Sequence, residues 1–220
     1  MRIAVLGTGV VGTTLGSRLV EQGHDVMMGS RTADNERAYA WVMAAGGAAS
    51  QGTFAAAAAS GEVVINCTSG GGTLEALTLA GRHNLDGKII IDVANPLDFS
   101  QGMPPTLFVC NTSSLGEQIQ SSFPGARVVK ALNTVTASVM VEPRLVPGDH
   151  NLFICGNDPA AKETVIDHLH DWFDWKKKHI IDVGDITAAR GTEMLLPLWI
   201  RLWGALGTPV FNWHIAGGRS

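Results

Sequence analysis

An apolar run of strand length, Ile3, Ala4, Val5 and Leu6, leads directly into Gly7-Thr8-Gly9-Val10-Val11-Gly12. No other stretch narrows the fold so sharply. In a strand, turn and helix unit the first glycine permits a tight turn, and the second lets backbone approach a pyrophosphate. The third lets the helix lie close on the strand, leaving helix N-terminal amides facing the anion. A glycine pattern alone is a weak signal, and its surroundings strengthen it. Residues 13–21 read as a helix with Leu15, Leu19 and Val20 on one side, Gln22-Gly23 ends it, and a second strand follows over 24–29. Where an NAD binder carries Asp or Glu after that strand, this chain has Ser30-Arg31. An acid accepts hydrogen bonds from a ribose hydroxyl, whereas a hydroxyl beside a planar guanidinium suits a 2′-phosphate, so NADP(H) is the expected cofactor.

Composition closes off other classes. The formal charge of -4 over 220 residues argues against nucleic acid as partner, and the one basic run, Lys176-Lys177-Lys178, reads as a solvated loop. Cys67, Cys110 and Cys155 are odd in number and widely spaced, with Cys67 and Cys155 in apolar runs, the pattern of buried free thiols in a reducing cytoplasm. The chain begins on a strand rather than a charged leader with an apolar core, so secretion is not expected. The longest apolar stretch, 194–213, is interrupted by Pro197, Arg201, Gly204 and Pro209 and makes a poor membrane span.

Beyond Arg31 a helix is expected over 37–45 and an alanine-rich one over 54–60. Residues 63–67 form a continuous apolar run, as in a strand buried on both faces of a parallel sheet. Thr68 and Ser69, with the three glycines after them, then fall where strand-end loops line a ligand crevice. A helix over 73–80 and a strand over 88–93 follow, and Pro96 turns the chain so that Asn95 presents its amide to the same crevice. Residues 98–112 read as a loop. A helix over 113–122 is capped by Ser113 or Ser114, with Glu117 answering from its first turn. A strand over 127–132 leads to Asn133 and Thr134, counted as the fifth strand-end loop and assigned to the neighbourhood of the reactive ring. Further strands are expected over 150–155 and 178–183, separated by a helix that Asp158 and Pro159 open. His168 and His170 would point to different faces of that helix, which excludes a metal pair. A long helix over 185–207 carries Arg190, Glu193 and Arg201, and Trp199, Trp203, Phe211 and Trp213 crowd the tail as core, subunit contact or pocket wall. The expected fold is α/β, a doubly wound, mostly parallel Rossmann-type sheet ordered 3-2-1-4-5-6 over 1–183. A helical C-terminal appendage, 184–220, packs on it or on a partner subunit.

The chemistry is narrowed by what is missing. Tyr39 is the sole tyrosine and Met43 stands where a Tyr-x-x-x-Lys enzyme needs lysine. Relatives that reduce small hydroxy acids or imines add a helical domain of roughly a hundred residues, and about thirty-five remain here after the last strand. No catalytic acid or base and no metal ligand is assigned. A ring that takes hydride directly, a flavin or deazaflavin, is the small-molecule acceptor such a protein suits, since stacking and water exclusion then suffice.

The chain resembles the NADP oxidoreductases dependent on the deazaflavin coenzyme F420 and the cytosolic reductase domains of six-transmembrane metalloreductases. The likeness spans nearly its full length. It is carried by the glycine turn, Gly29-Ser30-Arg31, Val129-Lys130-Ala131-Leu132-Asn133-Thr134, Phe153-Ile154-Cys155-Gly156-Asn157-Asp158, and Arg190 with Glu193, Pro197 and Leu198. The resemblance implies pyrophosphate contacts from Thr8, Gly9, Val10 and Val11, 2′-phosphate contacts from Ser30 and Arg31 with Arg37 as a further basic residue, and NADP contacts at Thr68, Asn95 and Ala137. Asn133 stands where the archaeal deazaflavin enzymes carry His and the metalloreductase domains carry Asn, which leaves F420 and a flavin both open. Two other readings remain: a non-catalytic NADPH-binding or sensing protein, and a carbonyl or imine reductase whose missing residue comes from a second copy in a homodimer through the apolar tail.

Overall fold

The computed structural model describes residues 1–217, so the last three residues of the expected segment 184–220 lie outside the described residues. The central strands are β1 (Arg2–Leu6), β2 (Asp25–Ser30), β3 (Ala49–Thr53), β4 (Val63–Asn66), β5 (Ile89–Asp92) and β6 (Arg127–Ala131). With β7 (Leu152–Gly156) and β8 (Ile180–Asp182) they form one sheet in the order β8-β7-β6-β5-β4-β1-β2-β3. The first six are parallel and lie in the order 3-2-1-4-5-6 with Ala49–Thr53 as the third. The expected count, with 63–67 third, would have put that strand beyond β2, whereas it pairs with β1. β7 runs antiparallel to β6, and β8 runs with β7.

Alternate residues of each strand feed the two faces, which is why the runs are apolar throughout. On one face Ile3, Val5, Ile65, Ile91 and Val129 meet α1 (Val10–Glu21), α2 (Glu36–Ala45), α6 (Ala137–Val141) and α7 (Pro159–Phe173). On the other Ala4, Leu6, Val64, Ile90 and Val128 meet α3 (Phe54–Ser60), α4 (Thr73–Ala80) and α5 (Leu115–Ser122). Ile186 and Ala189 of the tail join this second layer. The last helix, α8 (Ala189–Leu206), continues through Pro197 and stops at Gly207, whose φ of 69° is a glycine conformation.

Three local expectations need correction. β3 was not anticipated: Ala-Ser-Gln-Gly-Thr has no apolar run, because an edge strand is held by backbone pairing to β2 and only Gly52 in it is buried. Asn133 and Thr134 therefore follow the sixth strand, not the fifth. Inside the loop 98–112, Thr106–Leu107 pairs with Leu97–Asp98 as a short hairpin, too brief for alternation to register. The tail helix begins at Ala189, after a 3-10 turn over Ile186–Ala188 that the Asp185 carboxylate caps. Among the described residues no helix is long and apolar enough to cross a membrane.

Candidate functional site

Gly7 has φ of 118°, and a Cβ there would sit 2.6 Å from the Cys67 carbonyl oxygen, so only glycine brings β1 this close to the loop after β4. A side chain at Gly12 would overlap the Gly7 carbonyl. Gly9 is the opposite case, with open space where its side chain would be. It is the N-cap of α1 and supplies no side chain to the first amides, which stay available to an anion. The structure thus gives Gly7 to the tight turn and Gly12 to the close packing beneath it, and leaves Gly9 facing open space.

A cleft of about 340 Å³ opens in front of this turn, lined by Gly7, Thr8, Gly9, Ser30, Arg31, Arg37, Thr68 and Ser69 among others. The Arg31 guanidinium is largely exposed, and its ionic contact with Glu75 is long at 3.7 Å. Ser30 is buried and donates its hydroxyl proton to the Thr32 carbonyl at 2.5 Å, so an anion beside it competes with that bond. The positive charge at this end comes from Arg31 and Arg37.

Past the first helical residues lies a second cleft of about 250 Å³, walled by Val10, Val11, Val93, Asn95, Asn133, Val135, Thr136, Ala137, Met140, Leu196 and Trp199. Asn95 and Asn133 lock two strand ends together: Asn95 Nδ2 donates to the Asn133 carbonyl at 2.8 Å, and Asn133 Nδ2 donates to Asn95 Oδ1 at 3.0 Å. Trp199 stacks on Phe211 with ring centroids 5.3 Å apart. A hollow of about 230 Å³ shares Thr68 and Ser69 with the first cleft and Val11 and Asn95 with the second, making one groove along the strand ends. Gly12 and Thr134 line neither cleft; Gly12 lies under the turn and Thr134 is buried. A larger hollow of about 550 Å³ along α1 shares no residue with this groove.

Lys130, to which no sequence motif assigns a role, is fully buried between Asp92 and Glu193. Its Nζ lies 2.5 Å from Asp92 and 2.8 Å from Glu193, and donates to the Ala94 carbonyl at 2.7 Å. Burial alone would push the ammonium down, but the two carboxylates together outweigh it and hold its pKa above the usual lysine value. A visible signal existed: one lysine inside an apolar strand, next to a strand that ends in aspartate. Among the described residues no cluster of His, Cys, Asp and Glu could hold a metal ion. Cys155 is buried and its thiol is pushed up to about 12, which leaves it inert.

A parallel sheet with an anion-ready glycine turn and a groove across its strand ends defines a dinucleotide-binding Rossmann protein. Residues 2–96 match the family described as NADP oxidoreductase, coenzyme F420-dependent. The crystal structure of a candidate F420-dependent NADP reductase from Arthrobacter sp. FB24 superposes with a TM-score of 0.92 at 52% identity, covering 99% of this chain and 100% of that one. The F420-dependent NADP reductase of Methanocaldococcus jannaschii is 34% identical over 122 residues, 55% of this chain and 53% of that protein. Metalloreductase STEAP3 of Rattus norvegicus is 30% identical over 204 residues, 90% of this chain but 38% of that protein. The chain thus spans well under two thirds of either of these curated relatives. It belongs to the family of coenzyme F420-dependent NADP oxidoreductases, as its motifs imply.

Proposed function

We propose that the chain carries hydride between NADP(H) and a flat ring acceptor, coenzyme F420 or a flavin, received in the cleft between the glycine turn and α8. The observation that carries this reading is the wall of that cleft, in which no residue titrates. A carbonyl or imine needs an acid beside it, whereas a ring that disperses charge over its own atoms needs an apolar slot and alignment.

NADP(H) fits the groove: Gly9 leaves room for a pyrophosphate, and Arg31 and Arg37 offer charge to a 2′-phosphate. When bound it supplies the hydride; the protein's residues bind, orient and exclude water. Thr8, Gly9, Val10 and Val11 would hold the pyrophosphate through backbone amides, with Ser30 beside Arg31 at the ribose. Thr68, Ser69 and Asn95 would border the path to the nicotinamide, and Asn133 and Ala137 would floor it. Leu196 and Trp199 would cover the acceptor and keep water out.

Two copies would pair through the exposed Met194, Leu198, Trp203 and Leu206 of α8. The three free cysteines suit a reducing cytoplasm. Anaerobic stopped-flow mixing of NADPH with F420, a flavin and a quinone tests the reading. Loss of the ring absorbance of F420 or the flavin within one turnover is expected. Tight NADPH binding by calorimetry with no acceptor reduced overturns it in favour of an NADPH sensor.

A further inference from the structure

Lys130 touches neither cleft, yet three of its buried contacts involve groups that lead toward them. Burying one cation with two carboxylates removes three charges from water, at several kcal/mol per ion before their mutual attraction is counted. Packing alone would be served as well by apolar residues of similar volume. What the ionic knot adds is direction, because each oxygen in it is aimed by a specific donor.

Toward the cofactor, Asp92 Oδ1 accepts from Asn66 Nδ2 at 2.7 Å, and Asn66 Oδ1 accepts from the Thr68 hydroxyl at 2.7 Å. Thr68 lines the first cleft, and the Ala94 carbonyl that takes a Lys130 proton immediately precedes Asn95. Toward the acceptor, Glu193 also accepts from the amides of Leu115 and Gly116, at 2.8 and 3.0 Å. Glu193 stands about one turn before Leu196 and two before Trp199 on α8. Both of those line the second cleft.

We propose that Lys130 is a positioning residue for hydride transfer, which through Asp92, Asn66 and Thr68 on one side and Glu193 on the other sets α8 at a fixed height above the cofactor loops. This rests on the acceptor lying under Leu196 and Trp199. Occupation of the first cleft then stiffens α8, although α8 does not line that cleft.

Hydrogen exchange on the full chain, with and without NADPH, tests the coupling without any turnover. In the wild type NADPH slows exchange in the glycine turn and, by about tenfold, in the first three turns of α8. In Glu193→Gln, whose amide cannot accept from both backbone N–H groups and face the ammonium, the turn is still protected and α8 is not. Equal α8 protection in that variant, or none in the wild type, overturns the proposal. Thr68→Val, compared at NADPH concentrations that saturate it, cuts the chain at its cofactor end without disturbing the ionic knot, and gives the same loss of α8 protection should Glu193→Gln fold poorly. With a ring acceptor, transfer from C4-deuterated NADPH at saturation falls about tenfold in Glu193→Gln while the NADPH dissociation constant moves less than about threefold. A change confined to NADPH affinity also overturns it. If the wild type reduces no ring acceptor, the functional reading fails while the exchange result still decides the coupling.

Discussion

A guanidinium with only a long, exposed contact is a ready anion ligand, and Arg31 is in that state at the mouth of the first cleft. Charge-assisted hydrogen bonds contribute about 1.5–3 kcal/mol, so Arg31→Ala is expected to weaken NADPH binding by about 10- to 150-fold. NADH affinity should move by less than about threefold, since it lacks the phosphate. Calorimetry with both dinucleotides checks this, and wild-type protein that binds them equally would contradict the 2′-phosphate assignment. At this scale legibility followed mechanical necessity. Gly7, Gly9 and Gly12 were readable because each does something to the backbone that another residue would obstruct or gain nothing from. Ser30 was readable as a position but not in its bond to Thr32, which depends on the local turn. Lys130 escaped because its partners lie on another strand and on the final helix, and a single polar residue in an apolar strand has no periodicity to announce it.

An ion pair between two elements makes their docking depend on pH. The Ser114 hydroxyl accepts from the Glu117 amide at 3.1 Å and donates to its carboxylate at 2.8 Å, the reciprocal cap predicted for α5. The same carboxylate receives Arg190 Nε at 2.8 Å from α8, and that hydrogen bond, with help from Ser114 and the Arg190 charge, holds Glu117 below the usual glutamate value. A carboxyl with a depressed folded pKa stabilises above its unfolded value and loses that contribution as pH falls through the folded one. The thermal midpoint should therefore fall below about pH 4.5. Glu117→Gln should lose about 2 °C less over that acid range than the wild type, as suits a partly exposed pair. Calorimetric scans at several pH values measure it, and parallel curves for the two proteins would remove the pair from the account. Most elements were legible because buried parallel strands are continuously apolar and helices end at glycines. β3 was not, since an edge strand of small polar residues differs from a loop only in where its amides point.

At the scale of the whole molecule, α8 leaves several apolar side chains in solvent, with Leu198 51% and Leu206 56% exposed. If two copies pair through these residues as proposed, Leu198→Glu halves the mass seen by light scattering while NADPH affinity stays within about threefold, because the charge falls outside both clefts. An unchanged mass would mean that the tail face does not join two copies. The class of sheet was legible from the glycine turn, but neither the place of the third strand nor the reversal at β7 was, as direction within a sheet leaves no mark in hydropathy. That reversal has a consequence for the far end of the chain. In a run of parallel strands every connecting helix sets out from the ligand rim and descends. A strand laid the other way ends at the base, so the helix that follows climbs, and the carboxyl-terminal arm arrives at the rim as a roof over a pocket whose other walls come from the ends of the parallel strands.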